Sequence, residues 1–175
     1  LGKLQRGEKL LIHGGTSGIG TTGLQMAKAW GCETYSTVGT EEKKTFLEKM
    51  GVDQVINYKD QAFEEVWKDE NIDVILDMVG GDYTQKNLEI LNKKGRLVYI
   101  NGMKSTDVNI NLRTIMAKNL TLTGSFLKPQ SAAVKTQIAQ EVEKNIWPLF
   151  LSKAVQPIIY QKFPLSEAAE AHRLM

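Results

Sequence analysis

Directly after the apolar run Lys9–His13 the chain reads Gly14-Gly15-Thr16-Ser17-Gly18-Ile19-Gly20-Thr21-Thr22-Gly23, and a helical pattern follows. A turn this rich in glycine lets the backbone reverse sharply and lets a phosphate approach with no Cβ in the way. The helix start behind it then offers free N–H groups and a partial positive charge. Two spacings fit. One is Gly15-x-Ser17-x-x-Gly20, with serine in the middle position, and the other is Gly18-x-Gly20-x-x-Gly23. A lone glycine pattern is weak evidence, and one between the first strand and first helix of a βαβ series is strong. The competing reading is a tight turn that holds no ligand.

The rest of the chain supplies that series. Short apolar, β-branched runs lie at Lys9–His13, Thr34–Val38, Gln54–Ile56, Val74–Asp77, Leu97–Ile100 and Leu120–Thr123. Runs without polar alternation are what strands covered on both faces look like. Between them helices are expected over Gly20–Trp30, Glu41–Met50, Gln61–Lys68, Tyr83–Asn92 and Leu112–Lys118. A longer helix is expected over Ser131–Ile146, whose Val134, Ile138, Val142 and Ile146 form a stripe facing a core. Gly31 and Gly51 stand where helix ends need a left-handed residue. Thr40 reads as an N-cap, with Glu41 and Glu42 in the positive first turn. Alternation at this spacing implies right-handed crossovers and an α/β fold of the Rossmann type, a doubly wound parallel sheet of six strands with helices on both faces. Residues 1–150 are expected to form this domain, an NAD(P)-binding one as sheets of this type commonly are. Residues 151–175 lose the rhythm after Pro148 and read as a return segment toward a further domain.

Composition excludes more than it assigns. The chain has 175 residues, about one domain, 42% apolar and 24% charged, with net charge +2. Neither nucleic acid nor a membrane is an expected partner. The single Cys32 cannot form an intramolecular disulfide, so a reducing cytoplasm is the expected setting. With only His13 and His172 beside it, a Cys/His zinc cluster is not expected. The chain starts at Leu1 and stops at Met175 inside a helical pattern, as a piece of a longer protein would.

NAD-specific sites commonly place an acid at the tip of the second strand, to bind the ribose 2′-OH. Here the strand ends Ser36-Thr37-Val38-Gly39-Thr40 with no acid at the tip. Gly39 leaves room for a 2′-phosphate and Lys43, with Lys44 beside it, offers positive charge, which favours NADP(H). Both lysines also read simply as solvated helix residues.

The glycine turn resembles that of two oxidoreductase families. Short-chain dehydrogenases need a Tyr-x-x-x-Lys pair, the lysine tuning the tyrosine as acid or base. None of Tyr35, Tyr58, Tyr83, Tyr99 and Tyr160 has a lysine four residues on, and no Asn-Ala-Gly follows the fourth strand. The rest of the chain resembles the zinc-free quinone oxidoreductases, the zeta-crystallin branch of the medium-chain dehydrogenase/reductase superfamily. The resemblance runs through Leu4-Gln5-Arg6-Gly7-Glu8, the turn with Gln25-Met26-Ala27-Lys28, and Val38-Gly39-Thr40 with Lys43. It continues through Val55-Ile56-Asn57-Tyr58, Asp77-x-Val79-Gly80-Gly81, Gly95-Arg96, Leu122-Thr123-Gly124-Ser125 and Glu167-Ala168-Ala169-Glu170-Ala171-His172.

That resemblance implies roles. Gly15, Thr16, Ser17, Gly18 and Ile19 would wrap the pyrophosphate, and Gly39, Lys43 and Tyr58 would surround the adenosine 2′-phosphate. Val79, Asn101, Gly102, Phe126 and Leu127 would lie at the nicotinamide end. Where the family has Leu-Arg-Pro this chain has Leu127-Lys128-Pro129, without a bidentate guanidinium. Tyr58, Asn101 and Phe126 also read as a strand-end aromatic, a turn former and a core residue. The implied activity is hydride transfer from NADPH to a quinone or conjugated carbonyl compound. The alternatives are a related alkenal, enoyl or alcohol reductase, or a module that senses NADP(H) without catalysis. The family catalytic domain lies outside this chain, so the piece alone is expected to bind cofactor without turnover. His13 reads as a satisfied core histidine and His172 belongs to the tail, so no catalytic residue is assigned. Family members pair the Asn119–Phe126 edge across a two-fold axis, which implies a homodimer.

Overall fold

The structure, a computed structural model, describes residues 1–174. Strands and helices alternate: β1 (Lys9–His13), α1 (Gly18–Ala29), β2 (Glu33–Val38), α2 (Glu41–Lys49), β3 (Gln54–Asn57), α3 (Phe63–Val66) and β4 (Ile72–Asp77). Then come α4 (Tyr83–Ile90), β5 (Leu91–Tyr99), α5 (Leu112–Lys118) and β6 (Thr121–Gly124). The six strands form one parallel sheet in the order β3-β2-β1-β4-β5-β6. The order reverses between β1 and β4, so the crevice outside their carboxyl ends is the place where such sheets bind ligands.

Alternation along β1 divides the core. Leu10 and Ile12 point to one face and pack with Leu24 and Ala27 of α1 and Leu47 of α2. Leu11 points to the other and packs with Phe63 of α3, Trp67, and Leu88 and Ile90 of α4. Helices therefore cover both faces, as the strand composition requires. The expected caps are present. Ser17 and Thr40 accept backbone N–H bonds at the starts of α1 and α2, and Gly31 and Gly51 follow their ends with φ of 75° and 90°.

The structure corrects three expectations. First, α4 ends at Ile90 rather than Asn92. Leu91 already pairs with Ile72 of β4, and the Lys118 ammonium donates to the carbonyls of Leu88, Glu89 and Leu91 at 3.1, 2.5 and 2.7 Å. A lysine at the end of α4 satisfies carbonyls that would otherwise be orphaned. Second, β6 takes the edge position expected for Asn119–Phe126, but Thr121 and Gly124 stay exposed, so it is not covered on both faces as its apolar run suggested. Third, the stripe on α6 (Ala132–Asn145) does not face a core. Val134, Ile138 and Val142 stay exposed, and only Ile146, just past the helix, is buried. Other helices already occupy the sheet faces, so α6 lies outside them, with Ile138, Val142 and Ile146 forming a shallow groove with Trp30.

After α7 (Trp147–Leu151), Val155 is buried and Gln156 exchanges two hydrogen bonds with Gln25 of α1, at 2.9 and 3.1 Å. Beyond this point, up to and through α8 (Ala168–Leu174), the chain packs against little. Tyr160 is 87% and Leu165 92% exposed.

Candidate functional site

Four pieces of chain converge on the carboxyl ends of the strands. The first is the glycine turn, whose glycines do different work. Gly14 has φ of +71° and makes the reversal. A Cβ on Gly15 would lie 2.0 Å from Ser36 Oγ, so Gly15 lets the turn settle on β2. A Cβ on Gly20 would lie 2.6 Å from the Gly14 carbonyl oxygen, and one on Gly23 2.8 Å from Ile12 Cδ1. Gly18 alone faces open space, with nothing within 4 Å of its Cβ position. Ser17 caps α1 through its Oγ, which accepts from Gly20 N at 3.0 Å, while the N–H groups of Gly18 and Ile19 donate to no acceptor among the described residues. The turn therefore presents two free donors and an open approach at a helix N-terminus, with Thr16 and the exposed Ile19 beside them.

The second piece is the tip of β2. The expectation that Gly39 leaves empty space needs correction. A Cβ there would meet Tyr58 Oη at 2.6 Å, so the Tyr58 ring lies over Gly39. Tyr58 is 47% exposed, at the rim rather than in the core. On α2, Lys44 pairs with Glu41 at 3.3 Å, whereas Lys43 has no ion-pair partner among the described residues. Tyr58, Gly39 and Lys43 thus gather at one end of the crevice.

The third and fourth pieces are the loops after β4 and β5, which run alongside each other. Met103 N and Lys104 N donate to the carbonyls of Met78 and Val79 at 3.0 and 2.9 Å, and Gly81 N donates to Ser105 O at 3.0 Å. Close approach there depends on Gly80, with φ of +69°. Together with the end of β6 these loops enclose a cleft of about 520 Å³, lined by Gly80, Asn101, Gly102, Ser125 and Phe126 among others. Asn101 Oδ1 accepts from Gly102 N at 2.8 Å, so it shapes its own turn. Phe126 is 71% exposed and is not a core residue. Leu127 is exposed but does not line the cleft, and Val79 sits on its loop next to Gly80.

The matches to known proteins agree with this geometry. The zinc-binding dehydrogenase family profile matches residues 18–144. The chain belongs to that family. The quinone oxidoreductase of Mus musculus is 30% identical over 97% of this chain and 51% of its own length. Among solved structures, Escherichia coli quinone oxidoreductase complexed with NADPH is 27% identical with a TM-score of 0.81, covering 98% of this chain and 54% of that one. The JamJ enoyl reductase is 26% identical with the same TM-score, covering 99% and 52%. The resemblance to quinone oxidoreductases of the medium-chain superfamily is thus borne out, as is the Rossmann-type sheet. This family member spans about half the length of the curated relatives it matches.

The family name mentions zinc, and the residues here do not fit it. Among the described residues no three His, Cys, Asp or Glu side chains gather to hold a metal ion. Cys32 is buried, and both ring nitrogens of His13 are engaged. Nor is any described helix long and apolar enough to cross a membrane.

His13 is the satisfied core histidine its position suggested. It is fully buried, edge-on to Phe63 and Tyr83, and hydrogen-bonded to Thr37 and Asn87. Desolvation holds its pKa below the ordinary 6.5. A base whose pKa is depressed on folding binds fewer protons in the native than in the unfolded chain. Stability from this group is therefore complete above about pH 6.5 and falls below it, by at most about 1.4 kcal/mol per pH unit. Glu8, Glu70 and Asp82 are held low by hydrogen bonds from Arg96, Lys9 and Lys104, and they act in a separate window below about pH 4.5. Urea midpoints are expected to drop as the pH is lowered from 7 to 5, and the His13 ring to take its proton at a lower pH in the folded chain than in the unfolded one. A His13 ring that titrates in the folded chain at or above about pH 6.5 would overturn this.

Asp77, Asn87, Thr37 and Ser105 were given no role by sequence. Only Asp77 carried a signal, as an acid closing an apolar strand ahead of Gly80-Gly81.

Proposed function

We propose that this chain is the NADP(H)-binding domain of a reductase that passes hydride to a quinone or another conjugated carbonyl acceptor. The observation that carries this is one crevice with three parts in series. These are Lys43, without an ion-pair partner among the described residues, beside Tyr58 and Gly39; the N–H groups of Gly18 and Ile19, free among those residues; and the largely apolar cleft past β4, β5 and β6. Their order along the sheet, from the tip of β2 past β1 to β4, β5 and β6, matches that of an adenosine phosphate, a pyrophosphate and a nicotinamide. In this reading Lys43 and Tyr58 meet the 2′-phosphate, and Gly15 to Ile19 wrap the pyrophosphate. Val79, Asn101, Gly102 and Phe126 flank the nicotinamide end, with Leu127 just outside the cleft.

The chemistry supplied by a bound nicotinamide is hydride transfer, and the residues of this chain orient it and keep water out. No catalytic acid or base is assigned within the chain. Residues 1–150 serve as the cofactor domain, and residues 151–175 lead back toward a second domain that covers their exposed apolar side chains. The open β6 edge pairs with that of a second copy, since an unpaired edge invites strand addition. The likeness to the JamJ enoyl reductase favours a second reading, an enoyl reductase. Acceptor assays on the full-length protein separate the two.

Side-by-side titration of the chain with NADPH and NADH at low salt, followed by nicotinamide fluorescence, tests the proposal. NADPH is expected to bind at least about tenfold tighter, a difference of about 1.4 kcal/mol, and Lys43→Ala to abolish the preference. Equal affinities in the parent chain would remove the NADP assignment, and no binding of either would remove the cofactor reading.

A further inference from the structure

Beneath the crevice runs a chain of buried polar groups that the proposed function does not use. Thr37, His13, Asn87 and Asp77 come from β2, β1, α4 and β4, and each is at most 1% exposed. His13 Nδ1 lies 2.9 Å from Thr37 Oγ1, His13 Nε2 2.8 Å from Asn87 Oδ1, and Asn87 Nδ2 3.1 Å from Asp77 Oδ2. The other Asp77 oxygen accepts from the backbone N–H groups of Val79 and Gly80, at 2.6 and 3.2 Å.

The direction of these bonds follows from what each group can do. Asp77 accepts at both oxygens, so Asn87 must turn its NH₂ toward it and its carbonyl toward His13. His13 Nε2 then carries the hydrogen, and Nδ1 accepts from the Thr37 hydroxyl. At the far end the Thr37 backbone carbonyl accepts from Gly14 N and Gly15 N, at 3.0 and 3.4 Å. One continuous path therefore ties the glycine turn to the Val79–Gly81 loop.

We infer that Asn87 is a positioning residue that, through Asp77, holds the Val79–Gly81 loop in register with the glycine turn and so sets the nicotinamide end of the site against the pyrophosphate end. Asparagine is a poor helix former, and burying its amide is costly unless every bond is made. Here it is the one α4 side chain hydrogen-bonded to both His13 and Asp77, and a buried network in which each side-chain polar atom has a partner specifies a single arrangement. The inference rests on the cofactor reading above.

The test compares the parent chain with Asn87→Leu and the milder Asn87→Ser, using two probes. These are NADPH, proposed to span the whole crevice, and 2′,5′-ADP, which reports the adenosine end and the first phosphate but lacks the nicotinamide end. In either variant that folds, NADPH is expected to bind at least tenfold more weakly, with 2′,5′-ADP within twofold of the parent. The Val79 and Gly80 amides should exchange at least tenfold faster, while those of α2 and β3 stay unchanged. Equal weakening of both probes, or of neither, overturns the positioning role. In the parent chain, ¹⁵N NMR of the histidines should find His13 protonated on Nε2 and bare on Nδ1, and the opposite tautomer overturns the path whether or not the variants fold. A parent chain that binds neither probe instead overturns the cofactor reading, and the inference with it.

Discussion

Gly18→Ala is expected to fold at least as stably as the parent chain and to lose NADPH affinity at least about tenfold, whereas Gly20→Ala is expected to be strongly destabilised. The two glycines are two residues apart in the first turn of α1, and their surroundings separate them. The Cβ position of Gly18 has no neighbour within 4 Å, and alanine in a helix gains up to about 1 kcal/mol over glycine. The added methyl enters the space in front of the free N–H groups of Gly18 and Ile19, where the pyrophosphate is proposed to sit. At Gly20 the methyl would lie 2.6 Å from Gly14 O, Gly15 Cα and Gly15 O, all backbone atoms. No side chain can rotate away, so the turn must open, at a cost of roughly 3 kcal/mol or more. Urea denaturation and NADPH titration of both variants check this. A Gly18→Ala chain that binds NADPH like the parent would move the pyrophosphate away from this turn.

Gly80→Ala is expected to be the most damaging single methyl in the loops past β4 and β5. With φ of +69°, any L side chain there costs about 1–2 kcal/mol. The methyl would also lie 2.3 Å from the Ser105 carbonyl oxygen and 3.1 Å from Gly102 Cα. Separating the strands of chain to relieve this breaks the Gly81 N to Ser105 O bond and deforms the cleft lined by Asn101, Gly102 and Phe126. A lower urea midpoint and loss of NADPH binding with 2′,5′-ADP binding retained are the expected results. Gly81→Asn is the control. Its φ of +58° is one that asparagine tolerates, and its Cβ position meets nothing closer than 3.4 Å, so it should change the midpoint little. Equal effects at the two positions would mean that backbone conformation, not the contact with Ser105, dominates this loop.

The α/β order, the sheet and the glycine turn were legible in the chain because they depend on local chemistry. Leu10, Leu11 and Ile12 have to be buried on opposite faces whatever follows, and Ser17 and Thr40 cap the helices that begin beside them. Lys43 was separable from Lys44 only by resemblance, and the structure adds a reason, since Glu41 pairs with Lys44 alone. Where the sequence misled, the missing information was always a partner from elsewhere. The regular stripe on α6 implies a buried face, yet no periodicity says whether the sheet has room left for that face. Gly39 looked like empty space until Tyr58, 19 residues on, was seen to lie over it.

By itself, then, the sequence determined the fold class, the position of the crevice and the residues of its glycine turn. These follow from hydrophobic periodicity and from backbone conformations that few residues allow. Only the tertiary structure decided which glycine faces open space and which is pressed against backbone, and that Thr37, His13, Asn87 and Asp77 form one path. Those four residues lie on four elements up to 74 positions apart, and hydrogen bonds between them exist only once the sheet has brought their ends together.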